Sequence, residues 1–413
     1  MTVAARSGGE LTPGAEGDLV AGSGSDPAAL EGHAEPLVVY GALSDRYDFG
    51  PQHPLTPRRF GPGIDLLRAA GATRFLAPAP ASDEQLLRLH DGRYVETVKA
   101  FARDPGRRTS AGIGPGDCPA FADMHTVSGA VAGGSIAAMD LILSGEERHV
   151  FQPGGGLHHA MADRASGFCI YNDVALAVAR ARDAGHRVLY VDLDVHHGDG
   201  VQALFWDDPE VLTVSLHETG EALFPGTGFE SETGGPGAPG TAVNVPLEPL
   251  SGDESWRPAF EMVVPALAEA FRPSVLVSQH GCDSHAYDPL AHLRLTTAAY
   301  ASATRALDRI AHERCEGRWF ATGGGGYDAY RVVPRSWALV WLAQAHRGIP
   351  LEIPATWAER WASEASGYDQ APLPDAYLDP EDLVQPEPEV MISVNLRTAE
   401  RALDRSLHLQ GSS

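Results

Sequence analysis

Cysteine is scarce: there are four in 413 residues, Cys118, Cys169, Cys282 and Cys315, and no C-x-x-C pair among them. That usage excludes a disulfide framework and a thiolate zinc site, and reduced thiols are expected. No run of about 18 apolar residues is present to span a bilayer, and the first residues lack the apolar stretch of a secretory signal. A cytoplasmic protein with no membrane partner is expected. Positive charge is also short, with 31 Lys and Arg against 55 Asp and Glu, a formal charge of −24. Such a surface opposes the phosphate backbone, so no nucleic-acid partner is expected and cationic ligands suit it better. The glycine run at Gly323 to Gly326 lacks the G-K-[ST] of a phosphate loop, and neither G-x-S-x-G nor H-E-x-x-H occurs. Phosphate-loop, serine hydrolase and zincin readings therefore find no support.

What remains is a folding composition, 43% apolar and 21% charged. Residues 1–35 are rich in Gly, Ala, Ser, Pro and acids, lack apolar periodicity, and read as a disordered tail. One domain is expected over 36–385, followed by a C-terminal extension over 386–413. Short β-rich runs at Leu37–Tyr40, His149–Phe151, Val188–Val191, Val211–Leu216, Val275–Ser278 and Trp319–Ala321 predict strands. Helices are expected at Thr126–Leu143, Asp173–Ala184, Glu254–Phe271 and Thr296–Arg314, where apolar residues recur three or four apart. The alternation predicts an α/β fold with a mainly parallel sheet, helices on both faces and a binding site at the carboxyl ends of the strands.

Four predicted strands run into loops rich in Gly, His and Asp: GGGLHH after the second, DLDVHHGD after the third, QHGCD after the fifth and GGGGY after the sixth. In DLDVHHGD, strand alternation puts Asp192, Asp194 and His196 on one side. A carboxylate and an imidazole two residues apart can share a metal, and Asp283 is brought to the same sheet edge as the third ligand. Three protein ligands are the catalytic rather than the structural arrangement. The glycines before His158 and His159 let both imidazoles turn into a cleft, where Asp192 and Asp199 can orient them. Tyr327, after four glycines, is placed to donate to a developing oxyanion. Any one of these Asp residues alone would equally suit a helix cap, and a lone His pair a loop detail.

The strings GGGLHHA, GFCIYNDVALA, YVDLDVHHGDGVQ, TVSLHE, FPGTG and TGGGGY resemble the arginase–deacetylase family, in its histone-deacetylase-like branch, over about residues 36 to 350. SQHGCDSHAYDPLAHLRLT and GGGGYDAYRVVPRSW most resemble the bacterial acetoin-utilisation deacetylases. The resemblance implies the three-layer α/β/α deacetylase fold, Asp194, His196 and Asp283 as ligands of Zn2+ with Fe2+ as the alternative, and His158 and His159 as tandem catalytic histidines backed by Asp192 and Asp199. It adds Tyr327 as the carbonyl-polarising phenol, Phe168 and Phe224 as channel walls, Leu290 at floor or rim, Asp117 as a rim carboxylate and Arg59 in an acetate-exit region. It also implies a structural K+ at Asp192, Asp194, His196, Ser215 and Leu216. The binuclear manganese relatives carry an aspartate where this chain has Gly198, which favours a single metal. His285 is expected at the pocket wall or surface rather than as a ligand.

The expected activity is hydrolysis of N-acetyl-lysine on proteins, a metabolic enzyme being the expected partner. Acetylpolyamine hydrolysis and a non-catalytic acyl-lysine-binding module are the rival readings.

Overall fold

The strands Val188–Asp192, Val211–Glu218 and Val275–Gln279 are buried along their whole length, as in a sheet covered on both sides. The computed structural model describes residues 35–411, so the expected tail lies outside the described residues apart from Glu35. These residues form one unit around eight strands: β1 (Leu37–Val39), β2 (Phe75–Leu76), β3 (His149–Gln152), β4 (Val188–Asp192), β5 (Val211–Glu218), β6 (Ala242–Leu247), β7 (Val275–Gln279) and β8 (Trp319–Thr322). The order is β2-β1-β3-β8-β7-β4-β5-β6 and every pairing is parallel.

Alternation along β4 shows the layering. Leu189 and Val191 join the core formed with the helices Phe60–Ala70, Asp253–Phe271, Thr297–Arg314 and Val333–Gln344. Val188 and Tyr190 point the other way, into the core beneath the helices Met124–Ser144 and Asp173–Asp183. The helix Met124–Ser144 corrects one expectation. It is long and apolar enough for a membrane span, with a mean hydropathy of 1.5. Here 72% of that window is buried, the behaviour of a core helix.

Two strands escaped the sequence reading, and both are edges. β2 has two residues, and β6 carries Pro246, whose missing N–H is tolerable where one side of the strand has no partner. The helix Glu389–Gly411, within the expected extension, lies along Asp253–Phe271 and β6. Its buried Asn395 accepts from Glu248 N at 3.1 Å and donates to Ser251 Oγ at 2.7 Å and Ser255 Oγ at 2.9 Å.

The chain runs outward from β4 through β5 to β6, then returns to lay β7 and β8 between β4 and β3. The loops that leave β3, β8, β7 and β4 are therefore next to one another, at the carboxyl edge where parallel sheets bind ligands.

Candidate functional site

Beyond β4 the ladder continues for one bond, Leu193 N to Gln279 O at 3.0 Å, so the alternation persists. Leu193 and Val195 enter the core, while Asp192, Asp194 and His196 face the other way and are buried. Asp283 arrives from the loop after β7, its Oδ1 accepting from Val195 N at 2.9 Å. Asp194 Oδ2 accepts from Gln279 Nε2 at 2.7 Å and Gly325 N at 2.8 Å. The remaining oxygens, Asp194 Oδ1 and Asp283 Oδ2, each stand 3.1 Å from His196 Nδ1, and Asp194 Oδ1 also accepts from His196 N at 3.1 Å. Burial opposes charge on His196, yet these two carboxylates push it up to about 10. Burial and the nearby Asp194 push Asp283 up to about 6. Two buried carboxylates with a single proton between them form a seat for a cation, and the O2N donor set suits a first-row divalent metal. The three donor atoms lie within 4.8 Å of one another. Glycines shape this seat: a Cβ at 325 would stand 1.9 Å from Asp283 Oδ2, and one at 281 would stand 2.1 Å from Asp194 Oδ2.

Beside this centre, Gly156 adopts φ +93° in contact with Gly323 and turns the loop after β3 inward. His158 Nδ1 donates to Asp192 Oδ2 at 2.7 Å, and His159 Nδ1 donates to Asp199 Oδ1 at 2.7 Å. The two Nε2 atoms meet at 3.0 Å. With both Nδ1 protons committed to carboxylates, that contact needs one further proton, so the pair is an imidazolium beside an imidazole. Burial opposes charge on His158, but Asp192 and Asp194 prevail and raise it to about 9. Burial and the neighbouring His158 lower His159 to about 4. His159 is the neutral partner, its Nε2 lone pair accepting from His158 Nε2 and open to a proton from water once that contact parts.

Tyr327 follows Gly324 (φ +151°) and Gly326 (φ +144°), conformations that admit little but glycine. Its amide donates to Asp288 Oδ2 at 2.8 Å. Burial and the carboxylate of Asp283 keep the phenol well above its ordinary pKa, so it remains a donor. Tyr327, His158, His159, Asp194, His196, Phe168 and Leu55 line one cleft of about 290 Å³. The Phe168 ring meets Tyr327 edge-on at 5.9 Å and His53 at 4.5 Å. Phe224 closes the other side 5.0 Å from His159, and its exposure marks the mouth. His53 and Leu55 were not singled out from sequence, since neither carries a motif.

The remaining expected residues divide. Asp117 is exposed, and its Oδ2 accepts from Gly167 N at 2.7 Å, tying down the turn that presents Phe168. Ser215 pairs with Asp192 across β4 and β5, with Leu216 next along β5, while Ser215 Oγ lies 2.7 Å from His217 Nδ1. Arg59 is buried beneath the cleft, donating to Gly324 O at 2.7 Å, in the wall of a second cavity of about 490 Å³. Leu290 is not brought to the cleft wall: its amide is turned onto Asp288 Oδ1 at 3.0 Å, and it is half-buried in that loop. His285 is corrected from wall or surface to interior. It is fully buried, with Nε2 2.8 Å from Asp379 Oδ2, and the same carboxylate group binds Arg335 at 2.7 Å. Gly198 has no room for a ligand of any kind, because a Cβ there would stand 2.2 Å from Asp192 Oδ2.

Residues 53–344 match the histone deacetylase domain model. The chain belongs to that family. Within the histone deacetylase family it is of the acetoin-utilisation type: it is 39% identical over 379 residues to the acetoin utilization protein AcuC of Bacillus subtilis (strain 168), covering 89% of this chain and 97% of that one. AcuC of Staphylococcus aureus (strain MSSA476) is 37% identical over 343 residues, covering 81% and 88%. Among solved structures, a histone deacetylase homologue complexed with SAHA superposes with a TM-score of 0.78 at 29% identity, covering 88% of this chain and 99% of the other. A homologue from Aquifex aeolicus gives 0.77 at 28% identity over the same shares. The fold is the deacetylase α/β fold, and the chain is a hydrolytic deacetylase of a metal-dependent family.

Proposed function

We propose that this deacetylase removes acetyl groups from lysine side chains of proteins, using one Zn2+ held by Asp194, His196 and Asp283, with Fe2+ as the alternative metal. The observation that carries the reading is the placement of those three donors, the proton-sharing histidine pair and the Tyr327 phenol on one narrow cleft. A divalent ion in that seat supplies Lewis-acid polarisation of the amide carbonyl and acidifies water.

The residues supply the rest. His159, neutral and oriented by Asp199, takes a proton from water as it attacks the acetyl carbon. Tyr327 donates to the carbonyl oxygen as negative charge develops there. The carbon–nitrogen bond then breaks, the histidine pair returns a proton to the leaving amine, and acetate and the free lysine amine result. Asp192 holds His158 charged, which stabilises the oxyanion without moving a proton. A K+ at Asp192, Asp194, His196, Ser215 and Leu216 fits this account as a structural ion that steadies the metal-bearing loop.

Phe168 and Phe224 suit a methylene stem, and the mouth beside Asp117 suits a peptide backbone. Leu290 keeps a place in the proposal as a rim residue that an arriving substrate touches. The partner is an acetylated protein, a metabolic enzyme in keeping with the names of the relatives, with neither nucleic acid nor membrane engaged and the cytoplasm as the setting. The test is kcat/KM for an acetyl-lysine peptide beside acetylspermidine and acetylputrescine. Preference for the peptide is expected. Polyamines ahead by more than about tenfold, roughly 1.4 kcal/mol in transition-state binding, would overturn the substrate assignment.

A further inference from the structure

At the opposite edge of the sheet, four further metal-ligating side chains meet: His149, Asp308, His312 and His346. His149 is the first residue of β3, so this group lies at the amino ends of the strands. The strand separates it from the catalytic edge by at least about 10 Å. Asp308 and His312 are one turn apart on the helix Thr297–Arg314, and His346 lies in the turn that ends the helix Val333–Gln344.

We propose that these four residues form a second, structural site for a divalent transition metal, with Zn2+ its natural occupant. Four observations support it. His149 is 4% exposed, yet its Nε2 is buried without a hydrogen-bond partner. That atom is aimed at the cluster, 3.9 Å from Asp308 Oδ1. His149 Nδ1 lies 2.8 Å from the carbonyl oxygen of Gln344 and donates to it, which leaves the lone pair on Nε2. A backbone carbonyl on the far nitrogen is the usual way a ligating imidazole is oriented.

Spacing agrees as well. Ligands held tetrahedrally at about 2.0 to 2.1 Å from zinc stand about 3.3 Å from one another. Here His312 Nε2 lies 3.1 Å from His346 Nε2, and Asp308 Oδ1 lies 3.2 Å from His346 Nε2 and 3.6 Å from His312 Nε2. An N3O set of four protein donors is the closed arrangement of structural zinc, in contrast to the three donors at the catalytic edge. The ion would join the sheet to two helices of the same layer, and the His312 side chain, 30% exposed, provides the entry path.

The experiment is a Co2+ titration of the tag-free, metal-stripped full chain, read by visible absorbance and equilibrium dialysis. Two equivalents per chain are expected for the parent, and one each for D283A, H312A and H346A. D283A should retain the tetrahedral Co2+ bands of the N3O site, and H312A should lose them. Loss of a ligand should weaken that site by more than the roughly 10- to 100-fold that losing an outer partner costs. Zn2+ should raise the melting temperature of D283A but not of D283A/H312A. Should H312A fold poorly by circular dichroism, H346A and D308N carry the same comparison from other positions. A parent that binds one equivalent, or a second equivalent that survives both H312A and H346A at unchanged affinity, would overturn the proposal.

Discussion

Replacing Gly325 by alanine tests the metal seat through its walls rather than its ligands. The added Cβ would stand 1.9 Å from Asp283 Oδ2, 2.6 Å from its Cγ and 2.9 Å from Asp194 Oδ2. Real Cβ atoms essentially never come under 3.0 Å, so Asp283 has to retreat by roughly 1 Å. Neither carboxylate is a flexible chain end, since Asp283 is held by Val195 N and Asp194 by Gln279 and the amide of residue 325 itself. Metal ligation tolerates about 0.2 Å. A misplacement of about 1 Å at a reacting centre typically costs about 100-fold, or ~2.7 kcal/mol. Gly348→Ala is the control, because nothing lies within 4 Å of a Cβ there. The assay is metal content by mass spectrometry together with kcat/KM on an acetyl-lysine peptide. Gly325→Ala is expected to lose metal and about 100-fold in kcat/KM, with Gly348→Ala unchanged. Full occupancy and a rate within threefold of the parent would refute the seat described for Asp194 and Asp283.

Tyr327→Phe should keep its metal and its fold but lose about 100- to 1000-fold in kcat, the usual cost of one oxyanion donor; near-normal turnover would assign the phenol elsewhere. His90 donates from Nδ1 to Met161 O at 3.0 Å and accepts from Asn172 N at 3.1 Å, and burial lowers it to about 4. Its folded pKa lies below the ordinary 6.5, so the unfolded chain binds the extra proton first and stability falls as pH drops from about 6.5 to 4, by up to about 1.4 kcal/mol per unit. Denaturant melts of His90→Gln across that range should show a shallower loss, and an unchanged slope would contradict the assignment. Asp379→Ala leaves Arg335, 1% exposed, and His285 without their shared carboxylate, and should cost roughly 3 to 5 kcal/mol in urea unfolding. A loss under about 1 kcal/mol would show that network to be dispensable.

The parallel sheet was legible because six of its strands stand out as short β-rich runs, with helical periods in most of the gaps between them. β2 is too short to carry a pattern, and Pro246 breaks the β6 run, so those two edges emerge only from pairing. Asp194, His196, His158, His159 and Tyr327 were legible because the chemistry of strand ends restricts what can stand there, and the fold brings them to one cleft. His285 was not, since its role depends on Asp379, 94 residues away, and no local spacing announces that ion pair. Leu55 forms cleft wall and His53 backs the Phe168 ring through packing alone, and the glycines at 198, 281 and 325 matter through what their missing side chains would strike. The cluster at His149 lies likewise beyond reach of the sequence, its four members spread over 198 positions and gathered by the packing of two helices on the sheet.

The most direct test of the central claim is acetate release from an acetyl-lysine peptide by the parent, metal-stripped and then reloaded with one equivalent of Zn2+, beside Asp283→Ala treated in the same way. Turnover that disappears on stripping, returns on reloading and does not return in Asp283→Ala is the expected result. A stripped parent that works as fast as the loaded one, or an Asp283→Ala chain that recovers fully with Zn2+, would contradict it.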